Sequence, residues 1–136
     1  MNNQTAPSAD LPTLLLITSL PHSRKSLDAI QFAKQKLQQN KPVRVFFYAD
    51  GAYVANDLIW QTANVTNIAD EWAKLAHSHQ LALPVCVSTA LARGISDDEN
   101  AKRHQLSSSN LKSPFKLVGL SELALLLDQC DQCVQF

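Results

Sequence analysis

The sequence predicts an α/β fold of three layers, α/β/α, around a mainly parallel sheet of about five strands. Three observations lead there. Short runs rich in β-branched and aromatic residues alternate with stretches of helical periodicity along the whole chain. The first of those runs is continuously apolar, as strands buried on both faces are. Finally, 136 residues suit one domain, which at this size buries roughly 68–70% of the surface its unfolded chain exposes.

The elements follow in order. Residues 1–11 are polar, include Pro7 and read as a flexible tail, leaving 12–136 as a single domain. Thr13 to Ser19 is an apolar run closed by Leu20-Pro21 and predicts a buried strand. Ser26 is placed to cap a helix in which Ala29, Ile30, Ala33 and Leu37 share one face, ending at Asn40-Lys41-Pro42. Val43 to Tyr48 predicts the second strand, stopped by Asp50-Gly51, with a short helix over about Tyr53 to Leu58. Ile68, Trp72, Leu75, Ala76 and His79 mark an amphipathic helix.

Leu83 to Val87 predicts the third strand, with Pro84 tolerated best at an edge or first residue. Ser88 to Arg93 reads as a short helix closed by Gly94. Ser96-Asp97-Asp98-Glu99 has the pattern of a capping box for a helix to about Leu106. Phe115 to Val118 predicts the fourth strand and Val134 to Phe136 the last. Between them, residues 120–127 form a helix apolar almost all round, which predicts burial on more than one side, by its own sheet or by another chain.

Composition removes several classes of function. Twelve Lys and Arg balance twelve Asp and Glu, so the chain lacks the basic excess that direct nucleic-acid binding needs. Three glycines cannot write a phosphate-binding loop. Three cysteines are too few for a disulfide scaffold and suit a reducing compartment. No apolar run reaches the roughly 18 residues of a membrane span. The first cation, Arg24, follows the first apolar run, against the order of a secretory signal. A soluble, cytoplasmic protein with no membrane association is expected.

Sites in open α/β sheets form at the carboxyl ends of strands. Cys86 sits there, where the third strand hands over to a helix whose unpaired N–H groups favour a thiolate. It reads as a nucleophile or as a small buried hydrophobe. Arg93, seven residues on, is roughly 10 Å away along a helix axis and too far to be the main cause of activation. Cys130 and Cys133 form Cys-x-x-Cys, but after a helix rather than at its start, where the dipole disfavours a thiolate. They read as incidental thiols or as a dithiol redox pair. His77 and His79 point to different sides of a helix, and no metal site is indicated. The acidic run 97–99 is explained by helix capping.

Four segments carry a resemblance: Val-Phe-Phe-Tyr-Ala-Asp-Gly-Ala-Tyr-Val-Ala-Asn (45–56), Leu-Pro-Val-Cys-Val-Ser-Thr-Ala-Leu-Ala-Arg-Gly (83–94), Ser-Ser-Asn-Leu (108–111) and Cys-Asp-Gln-Cys-Val-Gln-Phe (130–136). From about Thr13 to Phe136 the chain resembles the DsrE/DsrF-like family, and within it the sulfurtransferase subunits of the tRNA 2-thiouridine relay. The resemblance implies a DsrE/F-like three-layer fold and places the persulfide-carrying cysteine on Cys86. It implies a heterohexamer with TusB-like and TusC-like subunits, a TusA-like sulfur donor, a TusE-like acceptor and no cofactor. Tyr48, Tyr53, Ser108, Ser109 and Asn110 are candidates to line a pocket that shelters the persulfide. The loop Ser19-Leu20-Pro21 and the second cysteine, Cys133, depart from the family's pattern. A DsrE-like carrier in sulfur oxidation and a non-catalytic structural subunit are the alternatives.

Overall fold

The computed structural model describes residues 10–136, so the expected tail lies outside the described residues apart from Asp10 and Leu11. The elements are β1 (Thr13–Ile17), α1 (Arg24–Gln38), β2 (Val43–Phe47), a 3-10 segment (Ala49–Ala55), α2 (Ile68–His79), β3 (Leu83–Cys86), α3 (Val87–Ala92), α4 (Asp98–Arg103), β4 (Phe115–Val118), α5 (Ser121–Gln129) and β5 (Gln132–Gln135). The five strands form one sheet in the order β4-β3-β2-β1-β5. Every pairing in it is parallel. The expected α/β architecture is therefore present, with a sheet that is wholly rather than mainly parallel.

The two faces of the sheet are covered unequally. On one, Leu15, Ile17, Val43, Val45, Phe47, Leu83, Val85 and Phe115 pack against Ala29, Ile30 and Ala33 of α1 and Ile68, Trp72 and Leu75 of α2. Phe47 lies at its centre, edge-on to Trp72 and to Phe115 with ring centroids 5.4 Å apart in both pairs. On the other, Leu14, Phe46 and Cys86 meet Leu126, with Leu16, Tyr48, Val118, Leu123 and Cys130 half-buried around them. That cover comes from α5. The helix was expected to be buried on more than one side, but its own chain buries only Leu126 fully and leaves Leu125 and Leu127 exposed.

Several boundaries differ from the sequence reading, each for a local reason. The N-cap of α1 is Ser23, whose Oγ accepts from the Ser26 N–H at 3.2 Å; Ser26 itself is buried and donates to the Leu20 carbonyl at 2.9 Å. The N-cap of α4 is Asp97, which accepts from Asn100 N–H, and Glu99 pairs with Arg103 at 2.9 Å instead of returning to the cap. That helix stops at Arg103. Gly94, at φ +78°, turns the chain out of α3 as expected. Pro84 lies in an interior strand rather than at an edge. It is accommodated because β2 pairs with β3 only at Phe47–Val85, so the missing N–H falls beside an open stretch of that ladder. Among the described residues, no helix is long and apolar enough to cross a membrane.

The expected helix over Tyr53 to Leu58 is replaced by the 3-10 segment, which begins at Ala49. The chain is held against the end of β1, where Tyr48 N–H donates to the Ile17 carbonyl at 2.9 Å. Gly51 makes this approach possible, since a Cβ there would stand 2.0 Å from the Ile17 carbonyl oxygen. Replacing Gly51 with Ala is accordingly expected to cost at least the roughly 1–3 kcal/mol of an overpacked core. Gly119→Ala, whose Cβ would meet only Ser121 Oγ at 3.7 Å, is expected to leave stability close to the parent's. Urea unfolding of the two variants checks both, and a Gly51→Ala midpoint equal to the parent's would contradict the steric account.

Candidate active site at the end of the third strand

β3 runs directly into α3, with no loop between. Cys86 is both the last residue of the strand and the N-cap of the helix, at φ −60° and ψ 119°. Strand alternation decides where its side chain goes. Val85 points toward α2, so Cys86 points to the thinly covered face with Leu14 and Phe46. The helix start decides what meets it. Ser88 Oγ lies 3.4 Å from Cys86 Sγ, and Thr89 Oγ1 donates to the Cys86 carbonyl at 3.3 Å.

Two opposing influences act on the thiol. Burial is the largest and pushes its pKa up. The Ser88 hydroxyl, the Thr89 N–H and hydroxyl and the Ser88 N–H together outweigh it, so Cys86 is held below the ordinary cysteine value. Donors to the sulfur, rather than a neighbouring cation, do this. The sulfur is also covered: Cys86 is 0% exposed. None of five surface cavities of about 160–560 Å³ among the described residues has Cys86 in its wall. A reacting partner reaches Sγ only if this cover moves.

The pocket candidates fall in different places. Tyr48 packs in the same cluster as Cys86. Tyr53 lines an apolar cavity of about 540 Å³ with Leu20, Pro21, His22 and Ile59. Ser109 and Asn110 line another, of about 560 Å³, beside Asp57, Asp97 and Asp98. Asn110 is a cross-brace: its amide donates to Gly94 O at 3.0 Å and Asn56 Oδ1 at 3.1 Å, and its Oδ1 accepts from Ser96 N–H at 2.9 Å. Ser109 donates to the Asp98 carboxylate, and Ser108 is exposed in the loop. These residues do not converge on one pocket around Cys86.

Residues inside the strand-end segment Cys86 to Thr89, to which sequence reasoning assigned no individual role, supply the immediate surroundings instead. Ser88 and Thr89 follow a strand-terminal cysteine by two and three residues. Hydroxyls at that spacing, in the first turn of a helix, are placed to fold back on the residue before it. Arg93 has a different role. It binds Asp50 at 3.1 Å and the Thr89 carbonyl at 3.1 Å, with its guanidinium 5.8 Å from the centre of the Tyr53 ring. It ties α3 to the 3-10 segment. At the opposite end of the sheet, Cys130 closes α5 and Cys133 is exposed on β5. Burial raises the Cys130 pKa, with Cys133 and Asp131 adding to it against Arg44, and partial burial raises that of Cys133. Of the three thiols, only Cys86 has its pKa moved down, toward the thiolate.

Comparison with known proteins bears on the family and the fold. The model of the DsrE/DsrF-like family matches residues 13–136. Sulfurtransferase TusD of Proteus mirabilis (strain HI4320) is 36% identical over 127 residues, covering 91% of this chain and 98% of that protein. Sulfurtransferase TusD of Salmonella arizonae is 40% identical over 115 residues, 84% of this chain and 90% of that one. The crystal structure of the ychN protein from E. coli superposes with a TM-score of 0.70 over 93% of this chain and 99% of its own, at 18% identity, which speaks to the fold alone. With a family model matched from the first strand to the final residue, the chain belongs to the DsrE/DsrF-like family.

Proposed function

We propose that this chain is a sulfurtransferase of a sulfur relay, that Cys86 carries the transferred sulfur as a persulfide, and that the relay ends in 2-thiolation of tRNA wobble uridine in the cytoplasm. The observation that carries the reading is Cys86 itself, a thiol at the carboxyl end of a central strand with Ser88 Oγ 3.4 Å from its sulfur and its pKa lowered by hydrogen bonds. The sulfurtransferase relatives support the class of reaction. In the loading step the Cys86 thiolate attacks the outer sulfur of a donor protein's persulfide. A new S–S bond forms on Cys86, the donor's S–S bond breaks, and the donor leaves as a thiolate. In the unloading step an acceptor protein's thiolate attacks that same outer sulfur, and Cys86 leaves as the thiolate. Sulfur moves without net oxidation, and a depressed pKa assists Cys86 both as nucleophile at neutral pH and as leaving group.

TusA-like and TusE-like proteins fit the donor and acceptor roles, and TusB-like and TusC-like subunits fit the exposed side of α5. Leu125 there is 55% exposed, with Leu120 and Leu127 close behind. Leu125 and Leu127 stand on either side of the buried Leu126, and exposed leucines of this kind on a helix are suited to burial against another chain. Sulfur would reach RNA through these proteins, in keeping with the chain's zero formal charge. One observation favours a second reading: a fully covered Cys86 also suits a structural subunit that performs no transfer.

Three outcomes are expected. Incubation of the assembled complex with a persulfidated donor should add one sulfur to the Cys86 peptide, read by mass spectrometry and removed by a thiol reductant. Cys86→Ser should take up none, whereas Cys130→Ser and Cys133→Ser should load like the parent. A Cys86→Ser variant that still supports thiolation would favour the structural reading. Second, in alkylation against pH, the midpoint for Cys86 should lie below those for Cys130 and Cys133, even though exposed Cys133 reacts faster in absolute rate. Because the Cys86 pKa is lowered, transfer should persist to lower pH than an ordinary cysteine allows and be lost as pH falls through that midpoint. Third, Leu125→Lys should abolish co-purification with the partner subunits and leave the thermal midpoint of the isolated chain unchanged.

A further inference from the structure

We infer that Ser88 is a catalytic hydrogen-bond donor: its hydroxyl holds the Cys86 sulfur as a thiolate and follows the transferred sulfur when the persulfide forms. The inference rests on the reading of Cys86 as the carrier and adds the residue that acts on it. Two hydroxyls stand next to Cys86 and both help to lower its thiol, but that of Ser88 has the larger influence and no other acceptor among the described residues. Thr89 Oγ1 is engaged as a donor to the Cys86 carbonyl at 3.3 Å. Ser88 Oγ has Sγ, at 3.4 Å, as its partner among the described residues. Its proton is therefore available to the sulfur whenever the sulfur is ionised. The other titratable groups in the apolar cluster that includes Cys86 are Tyr48 on β2 and, at the far end of the strands, Cys130 after α5; neither is among the causes that lower the thiol.

Position gives Ser88 its second role. Cys86 is fully covered, yet Ser88, two residues on, is exposed. The hydrogen bond thus joins a buried sulfur to a side chain in contact with water. A persulfide adds one sulfur at about 2.05 Å from Sγ. In that state the negative charge moves to the outer sulfur, and the inner one becomes a weak acceptor. A serine hydroxyl, turning about a single side-chain torsion, can pass from the inner sulfur to the outer. When an acceptor thiolate breaks the S–S bond, charge returns to Sγ and the hydroxyl turns back to receive it. Ser88 therefore favours departure of Cys86 as thiolate in the unloading step.

The test compares Ser88→Ala and Ser88→Thr in the assembled complex. Alanine suits a helical position and removes only the hydroxyl, while threonine restores it. In Ser88→Ala, the pH midpoint for Cys86 alkylation should move upward, and single-turnover transfer from the Cys86 persulfide to an acceptor thiol should slow about tenfold or more, the scale of one lost charge-assisted hydrogen bond. The acceptor concentration for half-maximal rate should stay the same. Ser88→Thr should restore both the midpoint and the rate. An unchanged midpoint together with an unchanged transfer rate in Ser88→Ala would overturn the inference, as would failure of threonine to restore either. If the parent itself gains no sulfur on Cys86, the carrier reading has failed; the alkylation midpoint still reports whether Ser88 donates to the thiolate.

Discussion

The site depends on a strand and a helix meeting at a single residue. Cys86 satisfies the geometry of both, ending β3 in extended conformation while standing as the cap of α3. Had a loop intervened, the thiol would sit in water with an ordinary tendency to ionise and no fixed donors. Without a loop, the pleat sends the sulfur into an apolar layer and the first helical turn brings N–H and O–H groups back onto it. The two effects oppose each other, and the hydrogen bonds prevail. A thiol that is both covered and ionisable is the result, a combination that neither a core position nor a surface loop provides.

The junction is fixed from the opposite face of the sheet. Phe47, bracketed by Trp72 and Phe115, stands at the one bridge between β2 and β3, its partner Val85 immediately preceding Cys86. On the far side of α3, Arg93 reaches back to Asp50 and to the Thr89 carbonyl. Partly exposed ion pairs of this kind contribute about 0–1 kcal/mol, so the stability comes from the aromatic core. What the Arg93 contacts add is orientation, since they link the helix carrying Ser88 and Thr89 to the turn that follows β2. Gly51, pressed against the end of β1, completes the frame by letting that turn lie flat on the sheet.

The layer that covers the sulfur is also the layer left incomplete. Leu123 and Leu126 are the side chains α5 contributes to the cluster around Cys86, and the same helix shows Leu120, Leu125 and Leu127 to solvent. Fully burying one leucine stabilises by about 1.5–3 kcal/mol, and since each of these three is already about half covered, a partner seated on α5 would gain about half of that from each. It would also settle the position of the helix over the sulfur. With the proposed partner seated on α5, assembly and access to the thiol would act through one short helix.

By itself, the sequence determined the order of elements, the parallel sheet and the position of Cys86 at a strand end. Those features follow from local periodicity and from where apolar runs stop, as Thr13 to Ile17, Val43 to Phe47 and Phe115 to Val118 show. It also marked Cys130 and Cys133 as poorly placed for ionisation, since the end of a helix is legible from its residues. Tertiary structure alone decided the rest. Ser23 rather than Ser26 became the cap of α1, because Ser26 is drawn to the Leu20 carbonyl. Tyr48, Tyr53 and Asn110 went to separate places, because where loops meet depends on the register of strands distant in sequence. Helix α5 was left half bare, because apolar residues all round a helix declare that it will be covered but not by which chain. Ser88 was matched to the sulfur and Thr89 to a carbonyl, because hydrogen bonds between neighbours are assigned by ångströms of backbone geometry that composition and spacing do not carry.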